Sequence, residues 1–293
     1  MANTTTITLK LTSIQEEKLL ASFQSDASTP PAYAKWQLRP ENCVITCYTS
    51  GKTVFQGKDA SIYASAFTTP VQPTVPSIPV SSFSLPQAGS DEVGTGDYFG
   101  PVVVCAAIVT AKTIDSIKAL GVRDSKALTD KDIRIIGPKL RQILPHSLLI
   151  LDNKKYNRVH VSDNINSIKA KLHNQAYINL EKKYGLPDLC VIDQFTPERS
   201  YYNYLQGEPK VIGHIHFETK AEDKYPAVGA ASVIARYAFL TLWDEMEKKY
   251  GMTLQKGAGS KTDLCAREFV DKFGMDELAK VVKLHFRNTE KLQ

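Results

Sequence analysis

Two adjacent carboxylates, Asp91 and Glu92, precede Gly94, Gly96 and Gly100 and lead into the apolar segment 102–109. Burying such a pair is costly unless a cation compensates it, and neighbouring glycines let a backbone approach a ligand closely. Two further acids stand where ligands gather in sheet-and-helix folds. Asp193 closes the apolar segment 189–193, and Asp223 lies just before a long apolar helix expected over 227–249. Brought together, the four would repel, since unit charges about 4 Å apart cost roughly 4 kcal/mol at an effective dielectric near ~20. Divalent cations relieve that cost, and an all-oxygen set suits magnesium or manganese better than zinc. Two such ions about 4 Å apart can activate a water and stabilise the leaving oxygen of a phosphodiester.

Each acid also has a plainer reading. Asp223 could be an N-cap acid with Pro226 in the first helical turn. Asp193 could end a strand as a turn residue, and Asp91 and Glu92 could be solvated turn acids. Alternation along a strand sends neighbours to opposite faces. Asp91 and Glu92 therefore share one site only where the strand ends or bulges, which Gly94 and Gly96 permit.

The elements that must position these acids lie on both sides of a boundary. Residues 60–90 carry no charge and include Pro70, Pro73, Pro76, Pro79 and Pro86, a composition that favours an extended linker. It divides residues 1–67 from 88–293, with 68–87 as the connection. The first part reads as a strand near 6–11, a helix with one apolar face, and an antiparallel meander through 33–38, 43–48 and 53–57. The second has strands near 89–93, 101–110, 147–152, 189–193 and 211–217, with helices near 130–143, 164–184, 226–249 and 264–283. Hairpin strands followed by alternating strands and helices predict a mixed sheet flanked by helices.

The 293 residues carry a net charge of +5, which is compatible with a polyanionic substrate without demanding one. Residues 1–90 hold six basic and five acidic side chains, leaving 30 and 26 for the remainder, so most of the excess accompanies the acid cluster. Five scattered cysteines, Cys43, Cys47, Cys105, Cys190 and Cys265, read as buried free thiols of a reducing cytosol. No leader pattern precedes the first strand, and the run 102–109 is too short to span a bilayer. A cytoplasmic monomer without membrane contact is expected.

At these residues the chain resembles the type 2 family of ribonucleases H. Asp91-Glu92 with its glycines matches the first catalytic block, Arg123-Asp124-Ser125-Lys126-Ala127-Leu128 the Asp-Ser-Lys block, and Asp193 and Asp223 the third and fourth carboxylates. The HIII branch fits more closely. Gly94-Thr95-Gly96 stands where the HII branch has Gly-Arg-Gly, and Lys256-Gly257-Ala258-Gly259-Ser260-Lys261 replaces a block that carries a junction-reading tyrosine. Trp36, Tyr48 and the segment 50–57 resemble that branch's TBP-like domain, and 283–289 its tail.

The resemblance implies an α/β fold: a ribonuclease H-like mixed sheet flanked by helices, preceded by a small α+β TBP-like domain. It implies endonucleolytic hydrolysis of RNA paired with DNA, leaving 3′-hydroxyl and 5′-phosphate ends. Asp91, Glu92, Asp193 and Asp223 would hold two Mg2+ or Mn2+ ions, with Asp91 touching both. Backbone groups of Gly94, Thr95 and Gly96 would meet RNA 2′-hydroxyls. Rival readings are a junction enzyme cutting at single ribonucleotides and a non-catalytic hybrid binder.

Other residues invite secondary roles. Ser125 and Lys126 could hold a phosphate, and so could Ser260 and Lys261 in their glycine-rich loop. Ser232, on the helix after Asp223, could pack or contact substrate backbone. Lys35, Arg39, Lys52 and Lys58 with Trp36 and Tyr48 could form a nucleic-acid platform, although core packing competes for the two aromatics. His214 and His216, on one face of a strand, read as structural without a third ligand.

Overall fold

A computed structural model describes residues 5–65, 67, 84–122 and 128–292. The first sheet is built from β1 (Thr5–Lys10), β2 (Ala27–Ser28), β3 (Ala34–Leu38), β4 (Cys43–Tyr48) and β5 (Lys52–Gly57), ordered β1-β5-β4-β3-β2 with every pair antiparallel. Helices α1 (Ser13–Ser22) and α2 (Ala60–Ser65) supply Leu19, Phe23, Tyr63 and Ala64 to a core with Leu38, Ile45 and Phe55. A capping box between Thr12 and Gln15 starts α1. Trp36 packs against this core.

The second sheet is mixed. Its strands are β6 (Gln87–Val93), β7 (Val102–Val109), β8 (His146–Leu151), β9 (Leu189–Asp193) and β10 (Ile215–Glu218), ordered β10-β9-β6-β7-β8. The hairpin pairs β6–β7 and β7–β8 run antiparallel, while β9 joins β6 and β10 joins β9 in parallel. Around it lie α3 (Ile114–Ala119), α4 (Asp130–Ile143), α5 (Asn153–Val159), α6 (Ile165–Tyr184), α7 (Glu198–Tyr204), α8 (Pro226–Tyr250), α9 (Ser260–Phe273), α10 (Met275–Leu278) and α11 (Arg287–Glu290).

Strand β7 shows how the layers form. Buried along its whole length, it sends Val103, Cys105, Ala107 and Val109 into a core with α4 and α8. Val102, Val104, Ala106 and Ile108 enter a second core with α6. That period of two divides one apolar run between two layers. Helix α8 presses directly on β6. A Cβ at Gly89 would stand 2.3 Å from the Val228 nitrogen, so only glycine lets this helix lie so close to the strand. Helix α8 is the one described helix long and apolar enough to cross a membrane, and 67% of its apolar window is buried inside the protein.

The two sheets are joined by polar contacts at the start of α6. Asn164 caps the helix by accepting from Ser167 N, and its amide donates to Asp59 at 2.5 Å. Glu41 accepts a hydrogen bond from Ile165 N, and His160 Nε2 lies 2.5 Å from its other oxygen. Asn166 donates to Tyr63 Oη, and Asn203 to Ser65 Oγ.

Three sequence expectations shift. The strand expected over 211–217 begins only at Ile215, because His214 sits in the left-handed region (φ 58°); His214 and His216 therefore do not share a strand face. The helix expected over 264–283 starts at Ser260 and breaks at Gly274 (φ 82°). The short helices α2, α3, α5, α7, α10 and α11 carry too few turns to leave a periodic signal.

Candidate active site

Asp193 ends β9, and Asp91 lies near the end of the adjacent strand β6, one residue past the pair Ser90–Ile192. Asp91 shares the α8 face with Gly89. Ser232 of α8 donates to its carboxylate, and Glu92 N–H donates to Asp91 Oδ1 at 2.7 Å. Burial and the negative charges of Glu92 and Asp193 hold Asp91 well above the usual carboxylate range, outweighing those two hydrogen bonds. Burial also raises Asp193. A hydrogen bond from Ala221 N–H (2.9 Å) opposes the rise, and the charges of Glu222 and Glu92 add to it.

Glu92 turns the other way, with Ser90, onto α6. Lys169 Nζ lies 2.5 Å from Oε1 and His173 Nε2 2.9 Å from Oε2. Burial would raise this acid, but the Lys169 charge and the His173 hydrogen bond prevail and bring it down to about 2. The strand alternation that the sequence warned of is therefore realised. Among the described residues, no three carboxylate, imidazole or thiolate groups are gathered tightly enough to enclose an ion. Asp91 and Glu92 take opposite faces of β6, yet the charge of Glu92 still acts on Asp91.

Asp223 lies in the 3-10 turn 221–223 that leads into α8 and is exposed. The charge of its neighbour Glu222 reaches Asp193. Glu222 and Asp223 together line a cavity of about 370 Å³ with Gln87, Val122 and Tyr225. The donor set is all oxygen, and the charges recorded on Asp91 are both negative, which suits a hard divalent cation.

Beyond β6, the turn from Gly94 to Gly100 needs glycine at its first position. Gly94 has φ 88°, and a Cβ there would meet Pro101 O at 2.2 Å. The turn is fastened to a distant loop and to the tail. Asp97 Oδ1 accepts from Gly257 N at 2.5 Å, and Tyr98 N donates to Gly257 O. Lys283, fully buried, donates to the carbonyls of Asp97 (2.7 Å) and Gly100 (2.6 Å). Burial lowers its ammonium to about 7, against the raising influence of Asp97. Asn288 donates to Ala258 O, closing the strap over the 257–261 loop.

Comparison with known proteins fits this framework. Residues 88–289 match the family model described as Ribonuclease HII, and residues 6–77 a domain of unknown function, DUF3378. Ribonuclease HIII of Exiguobacterium sibiricum is 38% identical over 98% of this chain and 96% of its own. Ribonuclease HIII of Bacillus cereus is 40% identical over 99% and 98%. The chain belongs to the ribonuclease HIII family. As a member it is a metal-dependent ribonuclease H, a phosphodiester hydrolase. The crystal structure of Bst-RNase HIII in complex with Mn2+ superposes with a TM-score of 0.69 at 37% identity, covering 98% of each chain.

Within this ribonuclease HIII frame, Gly94, Thr95 and Gly96 open the turn that Asp97 and Tyr98 bond to Gly257, and Ser260 and Lys261 are exposed at the start of α9. Ser232 directs its hydroxyl to Asp91. Ser125 and Lys126, with the rest of 123–127, lie outside the described residues. Sequence reasoning missed Lys169, His173, Ser90 and Glu222. The i, i+4 spacing of Lys169 and His173 on an expected helix was a signal, but their target on β6 is a tertiary fact.

Proposed function

We propose that this protein cleaves the RNA strand of RNA–DNA hybrids internally, leaving 3′-hydroxyl and 5′-phosphate ends. Two divalent ions, magnesium or manganese, would be held by Asp91, Glu92, Asp193 and Asp223, with Asp91 shared. The observation that carries this reading is the pair Asp91 and Asp193, two acids on the adjacent strands β6 and β9, the charge of Asp193 raising the proton affinity of buried Asp91. The Mn2+ complex of Bst-RNase HIII supports it. Bound ions would lower the proton affinity of a water and neutralise charge on the scissile phosphate.

The chain's own residues supply position. Asp91 would orient the ions with Ser232 fixing its carboxylate. The backbone of Gly94, Thr95 and Gly96 would lie against 2′-hydroxyls, the group that separates RNA from DNA. Ser260 and Lys261, together with Ser125 and Lys126, would take phosphates on either side. The domain of residues 1–67 would add affinity rather than chemistry. Lys35, Arg39, Lys52 and Lys58 are all exposed, as are Lys10 and Lys18, whereas Trp36 packs against its core. A cytoplasmic monomer completes the reading.

The test offers duplexes with several consecutive ribonucleotides or with one, in Mg2+ and in Mn2+. Cutting of the first alone is expected. Equal cutting of both would make this a junction enzyme, and binding without cutting would make it a hybrid binder.

A further inference from the structure

Both oxygens of Glu92 are already engaged by protein. Lys169 and His173 stand one turn apart on α6 and are nearly inaccessible to solvent, 8% and 0% exposed. Phe195, two residues past the end of β9, floors the pair. The His173 ring lies 5.4 Å from its centroid at 26°, and Lys169 Nζ lies 4.1 Å above it. Ser90 Oγ, on the same face of β6 as Glu92, contacts His173 Nδ1 at 2.8 Å. A carboxylate only accepts, so His173 Nε2 carries the proton it donates to Glu92. Ser90 then fixes the far side of the ring. Nothing in this set is free to turn: the ring is stacked, the ammonium is seated on a π face, and the helix is capped by Asn164.

We infer that Lys169 and His173, braced by Ser90 and Phe195, are positioning residues that fix the direction of the Glu92 carboxylate toward the ion-binding end of β6. Each carboxylate oxygen has two lone pairs, and the clamp occupies one on each. The remaining pairs keep one direction whether or not an ion is present. Residues that orient a metal-ligating group in this way typically contribute 10–100-fold in metal affinity. The inference rests on the reading of Glu92 as a metal ligand and adds the groups that preorganise it.

The test is Mn2+ binding to the full-length protein without nucleic acid, measured by calorimetry, together with the Mn2+ dependence of hybrid cleavage. His173→Ala and Lys169→Met are expected to weaken Mn2+ binding about 10–100-fold. The Mn2+ concentration for half-maximal cleavage should rise by a similar factor, with the KM for hybrid unchanged. His173→Gln keeps an N–H donor and should recover much of the affinity. If Lys169→Met fails to fold, Ser90→Ala carries the test, since it leaves every charge in place and releases only the ring; its Mn2+ binding should weaken, though less. Wild-type affinity in His173→Ala and Ser90→Ala, with binding still lost in Asp91→Asn, would overturn the clamp and leave the metal reading intact. Absence of Mn2+ binding by the wild-type protein would overturn both.

Discussion

Asp91 and Glu92 are neighbours with the same charge, and their surroundings are opposite. Glu92 faces α6, where an ammonium and an imidazole hold both its oxygens. Asp91 faces α8, where its strongest charged influences are two further carboxylates. One side of the strand thus carries its own counter-cation, and on the other the acids sit among further negative charges, where a bound ion would be favoured. The division follows from strand alternation: β6 distributes consecutive residues between two helix layers, and the α6 layer brings Lys169 to Glu92.

The same substitution should therefore act in opposite senses at the two positions. Asp91→Asn is expected to lower kcat at least about 10³-fold, equivalent to roughly 4 kcal/mol of lost transition-state stabilisation. In chelator, the same variant should melt at a higher temperature than wild type, because a buried repulsion is removed. Glu92→Gln should instead lower stability by about 3–5 kcal/mol, since it leaves the Lys169 ammonium buried against a neutral amide. Thermal unfolding in chelator reads both changes, and equal signs would erase the contrast.

Added metal gives the next effect. At about 100 times its dissociation constant, Mn2+ should stabilise the wild-type protein by roughly 2.7 kcal/mol. Asp91→Asn should show almost none of that rise in a melting scan.

Gly89→Ala places a methyl against the backbone of α8. Overpacking of this kind costs about 1–3 kcal/mol, and displacement of Ser232 from Asp91 should lower cleavage alongside stability.

A further effect concerns a third buried charge. Lys283 titrates near 7 in the folded chain, against an ordinary value of 10.5. Between those values the unfolded chain binds more protons, so stability should rise with pH across that window. Lys283→Met should flatten that rise in melts recorded from pH 7 to pH 10; an unaltered slope would place the titration elsewhere.

Much of this was legible in the sequence because local patterns carried it. The strand end at Asp193 follows from an apolar run that stops in an acid, and α4, α6 and α8 follow from long periodic segments. What escaped was tertiary. Lys169 and His173 were visible as a helical pair, but nothing local said which strand they met. Glu222 and Asp223 are adjacent acids, and that the charge of Glu222 reaches Asp193 depends on the path of the turn against β9. His214 looked like a strand residue until its left-handed backbone ended the strand before it began. Gly274 broke a helix whose composition suggested continuity.

The turn after β6 owes its shape to a residue 183 to 186 positions further along the chain, through the two carbonyls that Lys283 holds. A contact of such sequence separation is slow to form and can open as a unit. Release of residues 281–289 would leave the five-stranded sheet and its acids standing while the recognition turn lost its fixed form. The amides of Tyr98, Gly100 and Lys283 should then exchange with solvent together, earlier than those of β7.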